Sequence, residues 1–563
     1  MRSLVEEAAK NFPDKTAISF KIKPSDKEVQ KVSFPQWRDD VRNLGTALIA
    51  KGFREKNIAL VGENSYGWCC SFFAIMATGA VVVPIDKDLT PEDIEGIIKA
   101  TACEAIIIGK TAEGKLAPIL KSGACDSIKC VVTINAASKM TAEDIGGLPL
   151  FSLKEIEEQG AGLYAGGDRS YYEYKIDPHR LASIVYTSGT TGKGKGVMLS
   201  QANIGLDMTL GMYNFDITRK TLHVLPPHHT FGSTVNYVGH LAQGCEVYIS
   251  SGLMHVSDEI REQQPTHLIL VPAFLEVMHR KIWAGARKSG KTGLLKAMMA
   301  VSNCLRKLGI DIRRKLFKSV LEPFGGKLEL IICGGAKLDE EIIRTFDAIG
   351  ITILNGYGIT ECAPLISANR NKYQKAGSVG TPILACRVKI DAPDENGEGE
   401  ICVKGPNVML GYYNDPEATA AAFDEDGFFH TGDYGKLDEE GWIYITGRKK
   451  NLIILSNGKN VYPEEIEAEL QKVEGVAEVV VYAGESRVQK DRQTIVAEIF
   501  PDADVMGAKG ISDPQAYFEA QVARLNAKMP PYKAVKRVKL RDVEFQKNTS
   551  RKIIRFTIDK TLD

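Results

Sequence analysis

Seven short runs rich in β-branched residues recur between longer stretches of helical periodicity: IALVG at 58–62, AIIIG at 105–109, CVVTI at 130–134, SIVYTS at 183–188, LILV at 268–271, LELIIC at 328–333 and ITILN at 351–355. This alternation constrains the chain most, because strands separated by helices pair in parallel and need a helical layer on each face. Up to about residue 360 it predicts an α/β fold of doubly wound sheets, with ligands bound at the C-terminal ends of the strands. The 563 residues allow several packing units, and an apolar content of 44% with 25% charged residues excludes disordered, fibrous and multi-span chains.

Trp68 to Ile85 carries no charge over 18 residues, close to the length of a membrane span. Thr78-Gly79 divides it. The expectation is a buried helix, a turn and a short strand Val81 to Val83 closed by Pro84, with a membrane span as the alternative. The N-terminus MRSLVEEAAKNFPDK places glutamates where an export signal needs apolar residues. Eleven cysteines scattered from Cys69 to Cys402 without a CxxC predict reduced thiols in a cytoplasmic setting and no structural metal. Lys plus Arg (71) equals Asp plus Glu (71), so no overall field gathers nucleic acid, and none is expected as a partner.

From about 386 the texture changes to close-set strands, CRVKI, GEICVKG and WIYIT, separated by the turn signals DENGEG and DEEGW, which predicts a small antiparallel β unit over about 386–448. After Gly447-Arg448 the pattern becomes strand, helix, two strands, helix, strand and a basic tail: a compact α+β unit over 449–563.

Tyr186-Thr-Ser-Gly-Thr-Thr-Gly-Lys-Gly-Lys-Gly196 follows a predicted strand. Its glycines let backbone N–H groups converge on an anion, its hydroxyls donate further bonds, and its lysines neutralise charge, so Thr187, Ser188, Gly189, Thr190, Thr191, Gly192, Lys193, Gly194 and Lys195 are candidates to hold phosphate. Gly189 to Lys195 fits G-x4-G-K, but Gly196 stands where a Walker A loop needs Ser or Thr for magnesium. A polar linker is the alternative. Leu225-Pro-Pro-His-His-Thr-Phe-Gly232 sets two histidines after a strand-like run, a pair that serves structure or chemistry. Cys333-Gly-Gly-Ala336 and Asn355-Gly-Tyr-Gly-Ile-Thr-Glu361 each follow a buried-strand run; glycines there admit a planar base and Tyr357 can stack on it. His430-Thr-Gly-Asp433 offers a carboxylate for ribose hydroxyls, and Lys547-Asn-Thr-Ser-Arg-Lys552 ends the chain's motifs as either a mobile cationic loop or a solvated tail.

In this order the motifs resemble those of the adenylate-forming superfamily of acyl-CoA synthetases, luciferases and adenylation domains, along nearly the whole chain. PPHHTFG and GRKKNLIILSNGKNVYPEEIE are most similar to bacterial long-chain fatty acid–CoA ligases. The resemblance implies an N-terminal adenylate-forming domain over 1–448 and a smaller mobile lid over 449–563, turning at Lys450. It places His229 beside the substrate carboxylate and Phe231 to Tyr237 along the acyl pocket. Gly334, Gly335, Ala336, Asn355, Gly356, Tyr357 and Gly358 fall in the adenine pocket, and Asp433 and Arg448 on the ribose. Thr360 becomes a phosphate or carboxylate ligand, Glu361 and Thr190 ligands of Mg2+, and Lys552 the catalytic lysine. Ser456, Asn457, Gly458 and Lys459 lie in the loop on the coenzyme A side. The family's glycine before the catalytic lysine is Arg551 here.

The implied activity is AMP-forming ligation: MgATP activates a fatty carboxylic acid of medium or long chain to an acyl-adenylate, and the acyl group passes to coenzyme A. No acidic residue between Leu222 and Gly244 waits for an ammonium, which disfavours an amino-acid substrate. Ligation to an acyl carrier protein, activation of an aryl acid and silent ATP binding by a regulatory protein remain alternatives. Residues 279–327 hold thirteen basic residues against two acids, interleaved with apolar ones, so peripheral membrane contact stands beside a solvated helix face. The pattern specifies no oligomer.

Overall fold

The computed structural model describes residues 1–187, 194–217, 219–455, 460–485, 494–547 and 553–562. By its contacts the chain divides into two units, Met1–Arg387 with Lys404–Phe423, and Val388–Val403 with Asp424–Asp563.

The first unit holds two large sheets. One runs, edge to edge, Gly411–Tyr412, Lys195–Ser200, Leu181–Thr187, Val81–Ile85, Asn57–Val61, Ala105–Ile108, Cys130–Thr133, Leu150–Ser152. From 181–187 to 150–152 every pairing is parallel, and the strands Val81–Ile85, Ala105–Ile108 and Cys130–Thr133 are buried throughout, as expected of a sheet covered on both faces. The other sheet has nine strands, in the order Thr381–Pro382, Leu365–Ala368, Thr352–Gly358, Leu330–Cys333, His267–Leu270, Lys220–His223, Glu246–Ile249, Thr16–Phe20, Gln30–Ser33, parallel in its middle and antiparallel at both ends.

Trp68 to Ile85 folds into the expected helix, turn and strand, but Pro84 does not close the strand, which runs on to Ile85 with Pro84 in register with Leu60. Ser65 caps a helix over Tyr66–Ala77, accepting from Trp68 N at 3.2 Å. Gly79 turns at φ +86°, where a side chain is strained, and Val81–Ile85 enters the sheet. Ten residues of this helix are buried, which explains its apolar circumference without a bilayer. Among the described residues no helix is long and apolar enough to cross a membrane. All eleven cysteines are free, and only Cys304 is exposed.

Within the stretch read as β-rich, Gly399–Lys404, Phe429–Leu437 and Ile443–Arg448 form an antiparallel sheet with Arg387–Asp391 at its edge. Residues 405–423 do not join it. Gly411–Tyr412 instead pairs with Lys195–Ser200 of the eight-stranded sheet, Tyr412 opposite Val197. The rest of the second unit is an α+β layer in which Val476–Gly484, Thr494–Pro501 and Arg537–Leu540 make a sheet whose apolar side chains, with those of the helices Pro463–Leu470 and Pro514–Asn526, form a core around Phe518, Val481 and Ile499.

Candidate active site

The glycine-rich loop is the link of a hairpin. Leu181–Thr187 and Lys195–Ser200 are antiparallel, with Tyr186 opposite Gly196 and Thr187 opposite Lys195, so the chain leaves and re-enters the sheet at one point. Ser188, Gly189, Thr190, Thr191, Gly192 and Lys193 lie outside the described residues. At the stem, a Cβ on Gly194 would stand 2.8 Å from the Thr187 carbonyl oxygen, so only glycine lets the two strands approach. Ser200 then starts the next helix, accepting from Asn203 N at 3.0 Å while Asn203 Oδ1 accepts from Ser200 N at 2.8 Å.

Lys195 Nζ stands 4.6 Å from the centroid of the Tyr412 ring. The Tyr412 hydroxyl donates to Glu361 Oε1 at 3.1 Å, and Met409 N donates to the Glu361 carbonyl at 2.8 Å. Burial, then the Glu361 charge, pushes the phenol's pKa up, so it stays a donor. Glu361 sits with Thr360 in a single 3₁₀ turn after the strand Thr352–Gly358. The acidic residue and the stem of the glycine-rich hairpin are thus joined through one tyrosine.

Asn355 pairs with Cys333 on the neighbouring strand, which sets Gly334 beside Gly356. A Cβ on Gly334 would meet the Gly356 oxygen and Phe231 Cζ, both at 3.3 Å; one on Gly358 would meet the Pro364 oxygen at 2.0 Å. Gly335 follows at φ +90°, with Ala336 exposed. Tyr357 is in register with Ser367 and is 6% exposed.

Phe231 reaches Gly334 from the histidine turn. His228 and His229 hold their rings 4.3 Å apart; His228 is buried, with Nε2 3.4 Å from Asp86 Oδ2 but without the alignment of a hydrogen bond. Burial takes the His228 pKa down to about 4, leaving a neutral imidazole at neutral pH. His229 is half-buried, and its carbonyl accepts from Gly232 N and Ser233 N, both at 2.8 Å. A Cβ on Gly232 would lie 2.1 Å from the Pro226 oxygen, so the turn closes only on glycine. From it runs a π-helix, Phe231–Gly239, buried from Gly232 onward. Nine residues of this wide helix are unusual, since π-helical geometry mostly occurs as single turns and often at functional sites. Within it Tyr237 donates to Asn64 Oδ1, and Asn64 Nδ2 donates to the His223 carbonyl at 3.3 Å.

The second unit, taken by itself, carries the other candidate contacts. Asp433 and Arg448 are partners across antiparallel strands, and Arg448 Nε meets Asp433 Oδ1 at 2.6 Å, with Asp433 3% exposed and Arg448 exposed. Lys450 is in the 3₁₀ turn Lys449–Asn451 that follows. Ser456, Asn457, Gly458, Lys459 and Lys552 lie outside the described residues. Among the described residues one trio, Asp391, Glu400 and His430, brings possible metal-ligand atoms within 4.8 Å of one another; Lys449 Nζ, 2.6 Å from Glu400, already supplies a positive charge there.

The profile of the family described as AMP-binding enzyme matches residues 5–413. The chain belongs to the AMP-binding enzyme family. It is 30% identical over 509 residues to long-chain-fatty-acid–CoA ligase 1 of Cavia porcellus, covering 86% of this chain and 71% of that protein. It is 27% identical over 563 residues to a chloroplastic long-chain-fatty-acid–[acyl-carrier-protein] ligase of Arabidopsis thaliana, covering 88% and 75%. A solved anthranilate CoA ligase in complex with anthranoyl-AMP superposes with a TM-score of 0.76 over 99% of this chain and 96% of that one; at 20% identity the likeness is one of fold. These long-chain ligase relatives are mammalian and plant proteins, whereas the motifs resemble those of bacterial ones.

Adenylate-forming ligases of this AMP-binding family use ATP, Mg2+ and coenzyme A. The residues present fit such reactants. Glu361 is a hard oxygen donor of the kind Mg2+ takes alongside phosphates, and at Gly334, Gly356 and Gly358 the missing side chains let neighbouring protein atoms approach closely. Of the residues named from sequence, the structure joins Lys195 and Glu361 through Tyr412, with Thr187 opposite Lys195 in the hairpin, and sets Gly334 beside Gly356 and Phe231, with Asn355 on the same strand as Gly356 and opposite Cys333. Tyr412 was not anticipated. Its signal is the Gly411-Tyr412-Tyr413 triplet at the end of the family match, read before only as part of a β-rich stretch.

Proposed function

We propose that the chain ligates a medium- or long-chain fatty acid to coenzyme A in two steps. In the first, the acid's carboxylate attacks the α-phosphate of ATP and pyrophosphate leaves; in the second, the thiol attacks the acyl carbon of the adenylate and AMP leaves. The observation that carries this reading is the junction of Lys195, Tyr412 and Glu361 at the stem of the glycine-rich hairpin, in a chain matched along 5–413 by the AMP-binding family. Residues 187–195 hold the phosphates, with Thr190 and Glu361 as the residues that would hold Mg2+. The metal, when bound, offsets charge on the departing pyrophosphate. Gly334 to Ala336 and Asn355 to Gly358 receive the adenine, Asp433 and Arg448 the ribose. Thr360 binds phosphate or carboxylate, and His229, beside the acid's carboxylate, orients it. Lys552 brings a mobile cation to the charge that develops as the carboxylate attacks.

A lysine that must approach for the first step and withdraw for the second requires the segment 449–563 to turn at Lys450, with 1–448 as the larger part. Ser456 to Lys459 then serve the thiol step.

The long-chain relative supports a fatty acid, and the acyl-carrier-protein relative keeps a carrier protein open as acceptor. The setting we propose is the cytoplasm with contact at a membrane surface. From 279 to 310 there are eight basic residues and no acid, and on the helix Thr292–Lys307 and just beyond it Leu294, Val301 and Leu308, each seven residues apart, are 56%, 56% and 72% exposed. An apolar stripe among cations suits an anionic bilayer, from which a fatty acid partitions.

Incubation with labelled ATP and a series of acids from acetate to oleate and benzoate, with coenzyme A or carrier protein supplied, tests the reading. Acid-dependent AMP and pyrophosphate are expected. ADP as product, or no acid-dependent pyrophosphate with any acid, would overturn it, the latter in favour of silent nucleotide binding.

A further inference from the structure

The strand that carries Asp433 is irregular at the point where Asp433 sits. Cys402 is opposite His430 and Glu400 opposite Tyr434, so the three residues 431–433 face the single residue Ile401. Two residues are therefore extra, and the strand bulges, a device that re-aims a side chain. Such a bulge leaves backbone groups without ladder partners, and these need other acceptors. Thr431 Oγ1 donates to the Ile401 carbonyl at 2.7 Å and accepts from Asp433 N at 3.1 Å. Gly432 takes φ +72° and turns its N–H onto Glu400 Oε1 at 3.0 Å.

Glu400 does more than receive that one donor. Its carboxylate is 5% exposed, and its Oε2 meets His430 Nδ1 at 3.0 Å and Lys449 Nζ at 2.6 Å. Of these three groups, His430 precedes the bulge and Gly432 lies within it on the Asp433 strand, while Lys449 directly follows Arg448 on the other. Burial alone would raise the Glu400 pKa, but Lys449 and His430 hold it below the ordinary carboxylate value. One carboxylate therefore grips both sides of the Asp433–Arg448 pair.

We infer that Glu400 is a positioning residue that fixes Asp433 and Arg448 in the geometry that receives the ribose hydroxyls. The inference rests on the proposed ribose role of Asp433. Glu400 itself touches no substrate. It holds the bulge in register and ties the residue before the turn at Lys450 to the same carboxylate, so that movement beyond Lys450 leaves the ribose contacts in place.

Hydroxyl recognition gives a readout that general loss of stability would not move. The kcat/KM for acid-dependent pyrophosphate release is measured with ATP, 2′-deoxy-ATP and 3′-deoxy-ATP on the full chain. The unaltered protein should prefer ATP, and Asp433→Ala should lose that preference. Glu400→Ala should lose roughly tenfold of the preference, the loss falling on KM for ATP more than on kcat, and Glu400→Gln roughly threefold, because the amide still accepts from Gly432 but no longer pairs with Lys449. Should Glu400→Ala fail to fold, Glu400→Gln and Lys449→Met carry the test. If Asp433→Ala loses the preference while the folded Glu400 variants keep it in full, the inference is overturned and the ribose reading stands. If Asp433→Ala keeps the preference, the ribose reading fails and this inference with it.

Discussion

Tyr412 donates a 3.1 Å hydrogen bond to Glu361 while its ring lies under the ammonium of Lys195, 4.6 Å from the centroid. The tyrosine sits on a two-residue strand that pairs with Lys195–Ser200, so its place is set by the sheet itself. Removing the hydroxyl leaves the fold's apolar contacts and takes one hydrogen bond from the carboxylate proposed to hold Mg2+. Tyr412→Phe should slow adenylate formation by about 1 to 2 kcal/mol of lost fixation, roughly five- to thirtyfold, and raise the magnesium concentration needed for half-maximal rate. A magnesium titration of pyrophosphate release checks both. An unchanged magnesium dependence would mean that the phenol does not hold Glu361 for the ion.

Gly232 closes the turn that carries His229. With the Pro226 oxygen 2.1 Å from where a Cβ would be, Gly232→Ala must push the turn open and shift the start of the π-helix. Backbone, unlike a flexible side chain, gives way only at a cost of about 1 to 3 kcal/mol. The expected outcome is a lower melting temperature together with a several-fold rise in KM for the acid that exceeds any rise in KM for ATP. Equal changes in both constants would separate this turn from the acid.

Much of the architecture was legible because buried parallel strands are written as continuous apolar runs. AIII at 105–108 and LIIC at 330–333 could be placed from their own residues, and Thr78-Gly79 was enough to divide Trp68 to Ile85 into helix and strand. What stayed hidden depends on distant partners. Thr16–Phe20 pairs with Glu246–Ile249, and Gly411–Tyr412 with Lys195–Ser200; neither pairing leaves a mark in a local window. The π-helix at Phe231–Gly239 was read only as a pocket-lining segment, since one extra residue per turn blurs the helical period. In the candidate site, motif order marked Glu361, Asp433 and Arg448. Tyr412 and Glu400 carry no motif of their own, because each acts by holding another residue.

In the proposed two-step reaction, Lys450 and Lys552 are the residues whose substitution should separate the half-reactions. Proline at 450 restricts the backbone where the chain is to turn, so Lys450→Pro should impair thioester formation more than acyl-adenylate formation. Lys552→Ala should abolish adenylate formation, seen as loss of acid-dependent pyrophosphate exchange, and leave conversion of supplied acyl-adenylate largely intact. Equal loss of both steps in either variant would remove the two-state account.

The stripe of Leu294, Val301 and Leu308 makes a prediction about lipid. Vesicles rich in phosphatidylglycerol should sediment the protein, and vesicles of phosphatidylcholine should not. Raising the salt from 0.1 to 0.5 M should weaken the binding, as screening requires, these concentrations being about those over which the Debye length falls well below 10 Å. Replacing Leu294, Val301 and Leu308 together by Ser should weaken it further while adenylation of a short, soluble acid is retained. Equal sedimentation with both vesicles would dismiss the charged face as a solvated helix surface.

Glu157 gives the fold a pH dependence whose sign can be worked out. Burial, then the nearby charges of Asp40 and Glu158, raises its pKa from 4.5 to about 8. Asp40 is itself raised by burial, against the hydrogen bonds it accepts from Tyr66 and Gln36. Between pH 4.5 and 8 the folded protein keeps a proton on Glu157 that the unfolded chain has released, so the unfolded state binds fewer protons and stability falls as pH rises. The contribution is complete below the unfolded value and is lost as pH passes the folded one. Glu157→Gln imitates the protonated side chain. Its melting temperature should match that of the unaltered protein near pH 5 and exceed it at pH 8.5 by about 2 °C or more, giving a flatter profile across that range. Parallel profiles for the two proteins would show that Glu157 is ionised in the folded state at neutral pH.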